Sequence, residues 1–455
     1  MLEIICPANA HSERSYIIDW VLSDVFGLEY RLSFYSEHRG DIQIRRSGMN
    51  EKKLLKVADC FFESFEKHWL KSGSLPEMPI ETFRGMAVLY GRQGDDSEGC
   101  EGEWCPVDLF GSLFFLLSRY EEAVLTERDN HDRFPGKASI VVRSGLVHRA
   151  IGNEYIEYLW SVLKGLWPDL KRKERTFRIR PSHDIDRPSA FWKETYQKRT
   201  KLALRSLAKN QNRQSTGVFL RESANFKRNF NADLTGDPND TVDWIIKESE
   251  SAGRQSTFYY IPVQTHERFD AGMPLDHPLV ERQWRSIQDA GHQLGVHPGY
   301  ETYLDEPVMR RSVEVFAKQR EKIGLGGEPL LSRQHYLRWQ ACRTPRIMED
   351  VGIAVDSTVG FSSQAGFRAG ICYEYPMYDL NNRKPLALRQ QPLIVMECSV
   401  LDARYMGLGR SEEAMNVMLG LKEECRKYQG DFTVLWHNQR FIDPKEREMY
   451  RTLIS

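Results

Sequence analysis

From residue 175 onward, apolar stretches of two kinds alternate along the chain. TFRIRP (176–181), STFYYIP (256–262), QLGVH (293–297), PLLS (329–332), IAVDS (353–357), IVMECSV (394–400) and DFTVLWH (431–437) are short and mostly β-branched or aromatic, the pattern of buried strands. The intervening segments 241–253, 277–291, 305–324 and 344–352, and one within 411–429, carry apolar stripes at three-to-four spacing, and most close on glycine. Such strand–helix repeats predict a mostly parallel sheet, open or closed into a barrel, with chemistry at the C-terminal strand ends.

The first 165 residues have no such rhythm. Short mixed elements lead to VDLFGSLFFLLSRYEEAVL (107–125), where Asp108 is placed to cap a helix with Leu109, Leu113, Leu116 and Leu117 on one face. The apolar part is too short for a membrane span and runs into Arg119-Tyr120-Glu121-Glu122, so a buried core helix is expected. KGLWPDLKRKERT (164–176) reads as a connection. The expected organisation is a mixed α/β domain over 1–165, then an α/β domain over 175–455.

Composition narrows the function classes. With 63 Lys+Arg against 64 Asp+Glu and 41% hydrophobic residues in 455, wholesale disorder and a polyanion-binding surface along the whole chain are excluded. No apolar run approaches the ~18 residues of a membrane helix. The opening MLEIICPANAHSERSY lacks a basic stretch leading into an apolar one, and eight scattered cysteines form no CxxC pair, so a cytoplasmic chain with reduced thiols is expected. Cys100 and Cys105 are the closest pair and would need ligands from elsewhere to bind zinc.

Polar residues gather where the strands end: Asp184 and Asp186, His297 and Glu301, Arg333 and Tyr336, Asp356, and His437. Singly, each has a plainer explanation, since Asp caps turns, a His before Pro-Gly can be a turn residue and Arg can pair with any carboxylate. His183 and His292 read as packing residues. Five corresponding strand ends in one half of the chain are harder to explain as caps. Asp, His and a further N or O donor can hold a divalent ion. A second Asp as base, an Arg that orients it and a His as acid would complete a metal-assisted hydrolase.

The ordered set HDxDRP, HPxY, RQHYLR, DST and LWHN resembles the polysaccharide deacetylase family (NodB homology, carbohydrate esterase family 4). DLFGSLFFLLSRYEE and RDNHDRFPGKAS (128–139) resemble a bacterial branch with an extra N-terminal domain of unknown function. The resemblance implies a distorted (β/α) barrel, a divalent metal, most often zinc with manganese, cobalt or nickel as alternatives, and removal of acetyl groups from amino sugars. By the same resemblance, Asp184 is the general base, Arg333 steadies it, Asp356 orients His437 and His437 is the acid. The Tyr336 backbone N–H helps hold the oxyanion and Trp436 lines the pocket. The implied metal ligands are Asp186, His297 and Glu301. Asp186 replaces an aspartate the family carries one position earlier, Glu301 replaces a second histidine, and His335 stands where the family has proline.

An Asp-His-Glu set is harder and more anionic than Asp-His-His and would raise the pKa of a bound water. A carbohydrate-binding relative without activity, or an interaction protein of glycan assembly, stays compatible with the same residues. Residues 193–228 carry ten Lys/Arg against Glu194 and Glu222. This basic insertion (about 193–235) is either a solvated segment or a contact for an anionic membrane surface or a substrate pyrophosphate. Nothing in it suggests nucleic acid. The expected partner is an acetylated amino-sugar glycan or its precursor.

Overall fold

The computed structural model describes residues 1–37, 40–48, 53–63, 65–92, 103–190, 192 and 237–455. The basic insertion and Cys100 lie outside the described residues.

Two sheets organise these residues. The first contains β1 (Leu2–Cys6), β2 (Tyr30–Phe34), β3 (Ile42–Arg46), β4 (Leu55–Val57) and, after a separate hairpin of β5 (Glu81–Phe83) and β6 (Met86–Val88), β7 (Glu103–Cys105). Its order is β2-β1-β3-β4-β7, with β3 antiparallel to both neighbours.

The second sheet is built from β8 (Arg178–Ile185), β9 (Thr257–Tyr260), β10 (Gln293–Val296), β11 (Leu330–Ser332), β12 (Ile353–Asp356), β13 (Tyr375–Asp379), β14 (Lys384–Gln390), β15 (Val395–Met396) and β16 (Asp431–Leu435). The order is β13-β14-β12-β11-β10-β9-β8-β16-β15, and only the β13–β14 hairpin is antiparallel. The curled sheet stays open between β13 and β15, a partial barrel of mixed α/β type.

Helices follow the expected segments closely. Val242–Ser251 and Pro278–Asp289 end before Gly253 (φ 65°) and Gly291 (φ 72°), where the left-handed backbone favours glycine. Asp305 caps Glu306–Lys322 by accepting from the Val308 N–H. Asp108 caps Leu109–Leu117 through the Gly111 N–H, but the helix stops at Arg119 (φ 55°) and restarts as Tyr120–Val124. Two segments differ from expectation. The strand at 176–181 runs on through Ile185, and 394–400 is a two-residue strand followed by the helix Glu397–Leu401.

The apolar core is continuous between the two sheets. The Leu109–Leu117 helix is wholly buried there, and a buried ion network pins its end. Arg119 Nε pairs with Glu122 at 2.9 Å, and Glu122 takes both prongs of Arg368 at 2.8 and 2.5 Å. Burial works against the Glu122 carboxylate, but Arg368 and Arg119 together hold its pKa below the ordinary value. No helix among the described residues is long and apolar enough to cross a membrane.

Candidate active site

Parallel pairing sets the strand ends level. Val296 lies beside Ser332 and Leu435 beside Ser182, so His297, Arg333, His437 and Asp184 emerge at one rim. A cavity of about 290 Å³ opens there, lined by Asp184, Asp186, His335, Tyr336, Glu397 and His437, with Arg133 from the N-terminal half.

Asp184 is buried, and Arg333 Nη1 donates to its Oδ1 at 2.9 Å. The guanidinium is itself fixed by the Ser182 and Ser357 hydroxyls at 2.8 and 2.9 Å. This clamp leaves Oδ2 facing His297 Nε2 at 3.5 Å.

Asp186 is the hub. His297 Nε2 lies 3.2 Å and His335 Nε2 3.8 Å from its Oδ1, while His437 Nε2 lies 3.6 Å from its Oδ2. Each ring is locked through its other nitrogen. His297 Nδ1 contacts the Arg333 carbonyl, His335 Nδ1 lies 2.7 Å from Asp270 Oδ1, and His437 Nδ1 lies 2.6 Å from Glu397 Oε1. A carbonyl only accepts, so His297 Nδ1 carries a proton and Nε2 is the nitrogen left to present a lone pair to a cation. Such outer-shell acceptors are the arrangement that orients metal-binding histidines.

Asp270 is firmly held. Its Oδ2 accepts from the Thr265 N–H, the Thr265 hydroxyl and the His266 N–H at 2.7, 2.8 and 2.9 Å, and its Oδ1 accepts from the Tyr300 N–H at 3.0 Å. Burial opposes its charged form, but the His335 contact and these bonds bring its pKa down to about 2. His335 shows the converse. Burial pushes its pKa down, yet Asp186 and then Asp270 raise it to about 9. For His437, burial is likewise outweighed, by Glu397 and then Asp186, and its pKa rises to about 10. The cluster therefore favours positive charge.

Asp186, His297 and His335 offer donor atoms within 4.8 Å of one another. Asp186 Oδ1 and His297 Nε2 are buried, and neither makes a well-aligned hydrogen bond among the described residues. Two orphaned polar atoms facing each other fit a divalent cation. Glu397, Cys398 and His437 form a second such group, but the short bond between Glu397 and His437 already engages that carboxylate.

Three expected roles differ from the geometry. Glu301 stands away from the donor cluster: it begins the turn Thr302–Leu304, and its half-exposed carboxylate meets Arg338 at 3.1 Å. His335 supplies the third donor instead. Asp356 does not touch His437. It is fully buried and accepts from the Thr358 N–H at 3.1 Å and from the Thr358 hydroxyl, while Glu397 takes the place beside His437. Burial pushes the Asp356 pKa up to about 6. Trp436 is fully buried against Phe441 and Tyr450 rather than lining the cavity. His183 and His292 do pack as expected: His183 bridges the Trp436 carbonyl and the Tyr450 hydroxyl at 2.9 and 3.0 Å, and the Ser256 N–H donates to His292 Nδ1 at 3.2 Å.

Tyr336 and Leu337 both have left-handed backbones, with φ of 61° and 55°. Two consecutive non-glycine residues in this region are strained and need outside support. The His335 N–H is tied to the Pro298 carbonyl and the Leu337 N–H to the Gln334 carbonyl, whereas the Tyr336 N–H has no backbone acceptor among the described residues.

Among solved structures, the chain is similar to a putative polysaccharide deacetylase from Mycobacterium smegmatis (16% identity, 63% of this chain and 84% of that one, TM-score 0.39). It is also similar to Puue allantoinase (12%, 61% and 82%, TM-score 0.36) and to a probable polysaccharide deacetylase from Pseudomonas aeruginosa PAO1 (12%, 61% and 83%, TM-score 0.34). Compared with curated proteins, the chain has no match. Residues 2–168 match a family model described as "Family of unknown function (DUF7033)".

Proposed function

We propose that the chain is a divalent-metal-dependent hydrolase that removes acetyl groups from an N-acetylated amino sugar of a surface glycan or its precursor. One observation carries this reading: three histidine Nε2 atoms converge on Asp186, each ring locked by an acceptor on Nδ1, beside an Asp184 clamped by Arg333. The strand-end motifs that resemble the deacetylase family support the choice of substrate class.

Asp186, His297 and His335 would hold the cation, zinc first and manganese, cobalt or nickel as alternatives. When bound, it polarises a carbonyl and acidifies a water. Asp184, aimed by Arg333, takes the proton of the attacking water. The unclaimed Tyr336 N–H donates to the oxygen on which negative charge grows. His437, kept protonated by Glu397, gives its proton to the departing amine.

Acetate release from N-acetylated oligosaccharides and sugar nucleotides tests the reading. Asp184→Asn should keep sugar binding and lose release; unchanged turnover would contradict the assigned base. Sugar binding without release by the wild type would favour a binding relative. The basic insertion is proposed to meet an anionic membrane, which co-sedimentation with anionic vesicles at low and moderate salt would test.

A further inference from the structure

The segment 129–133 belongs to the N-terminal half, yet it docks on the loops that carry the site. Asp129 Oδ1 accepts from the His131 and Arg133 N–H groups at 2.8 and 3.0 Å, folding the segment into a tight turn. Its Oδ2 takes Arg133 Nε at 2.8 Å and Nη2 at 2.7 Å, and the third nitrogen of that guanidinium, Nη1, donates to the Tyr336 carbonyl at 3.0 Å. Other bonds tie the turn down. Arg338 Nε donates to the His131 carbonyl at 2.9 Å, His131 Nδ1 lies 3.0 Å from the Tyr300 hydroxyl, and the Tyr303 hydroxyl donates to Asp132.

We propose that Arg133 is a positioning residue of the active site, through which the N-terminal half holds the Tyr336 peptide in its productive orientation. The inference rests on the deacetylase reading above. Tyr336 and Leu337 sit in a backbone region that side-chain-bearing residues avoid, so this stretch relaxes unless both of its sides are held. The His335 ring on Asp270 secures one side. Arg133 secures the other, being nearly buried, preset by Asp129 and bonded to the carbonyl of the strained residue itself. With that bond lost, Tyr336 can relax from its left-handed φ of 61°, a turn about its own N–Cα bond that swings the 335–336 peptide and the N–H it carries out of the productive orientation. Asp186, His297 and His335 do not touch Arg133, so cation binding should not depend on it.

The test uses the full chain, zinc alone, and then acetate, the product, titrated into the zinc-loaded protein. Arg133→Met should bind zinc as the wild type does and acetate about tenfold more weakly, the worth of one hydrogen bond from the N–H. In turnover its kcat should fall with KM little changed. Arg133→Lys keeps a donor for the carbonyl and should recover most of the loss; it also serves if the Met variant fails to fold. Wild-type acetate affinity in the Met variant, or zinc and acetate affinities falling together as the fold loosens, would overturn the inference while leaving the proposed function standing. A wild type that takes up none of zinc, manganese, cobalt and nickel would overturn both.

Discussion

His335 Nδ1 stands 2.7 Å from Asp270 Oδ1, and Asp270 in turn accepts from three backbone N–H groups and a hydroxyl. The imidazole is thereby aimed at Asp186 and made more basic. Asp270→Asn should lower zinc affinity about 10–100-fold, as measured by competition with a chelator. Glu301→Gln should leave it unchanged, because that carboxylate faces Arg338. The opposite ranking would restore Glu301 as the third ligand.

Glu397 plays the same part for His437, and its effect should be visible in the pH profile. In the proposed reaction His437 donates only while protonated, so activity should be lost as pH rises through its pKa, which Glu397 and Asp186 lift to about 10 against burial. Glu397→Gln removes the largest raising influence. The alkaline limb of kcat should move to lower pH, with zinc content unchanged. A limb that stays in place would place the acid elsewhere.

His183 predicts how stability responds to acid. Complete burial lowers its pKa from 6.5 to about 3, so the folded chain refuses a proton that the unfolded chain takes up near 6.5. Stability contributed by the neutral ring is complete above 6.5 and falls with pH between 6.5 and about 3, approaching about 1.4 kcal/mol per pH unit. In urea unfolding from pH 7 to 5, His183→Gln should show a slope shallower than the wild type's by up to one proton. Equal slopes would show that the proton is taken up elsewhere.

The Glu122–Arg368 pair joins the two halves of the chain inside the core. Glu122→Gln leaves the buried Arg368 without its carboxylate, while Arg119 keeps Glu121 at 2.8 Å, and should cost about 3–5 kcal/mol in denaturant unfolding. A loss under 1 kcal/mol would show that the network is easily rehydrated.

The strand ends are legible because burial on both faces forces apolar strands, and polar residues follow at their C-terminal tips; His297, Arg333 and His437 stand at one rim for that reason. His335 was hidden by the register of its motif. The family resemblance implies Glu301, but the turn after Gly299 sends its carboxylate to Arg338, and the neighbouring strand end brings the His335 imidazole to Asp186. Glu397 obeys the strand-end rule too. IVMECSV reads as one strand and so conceals it, whereas the chain leaves the sheet after Met396. Asp270 and Arg133 sit in irregular segments tied to the site by long-range bonds. Periodicity carries no trace of such contacts.

Metal content and acetate release measured on one preparation decide whether the Asp186–His297–His335 cluster is a hydrolytic metal centre. The wild type should carry one divalent cation per chain, lost in Asp186→Ala and in His335→Ala but kept in Glu301→Ala, and should release acetate from an N-acetylated amino sugar only while that cation is bound. A wild-type chain that gains no cation on titration, or that releases acetate equally well without one, would contradict that assignment.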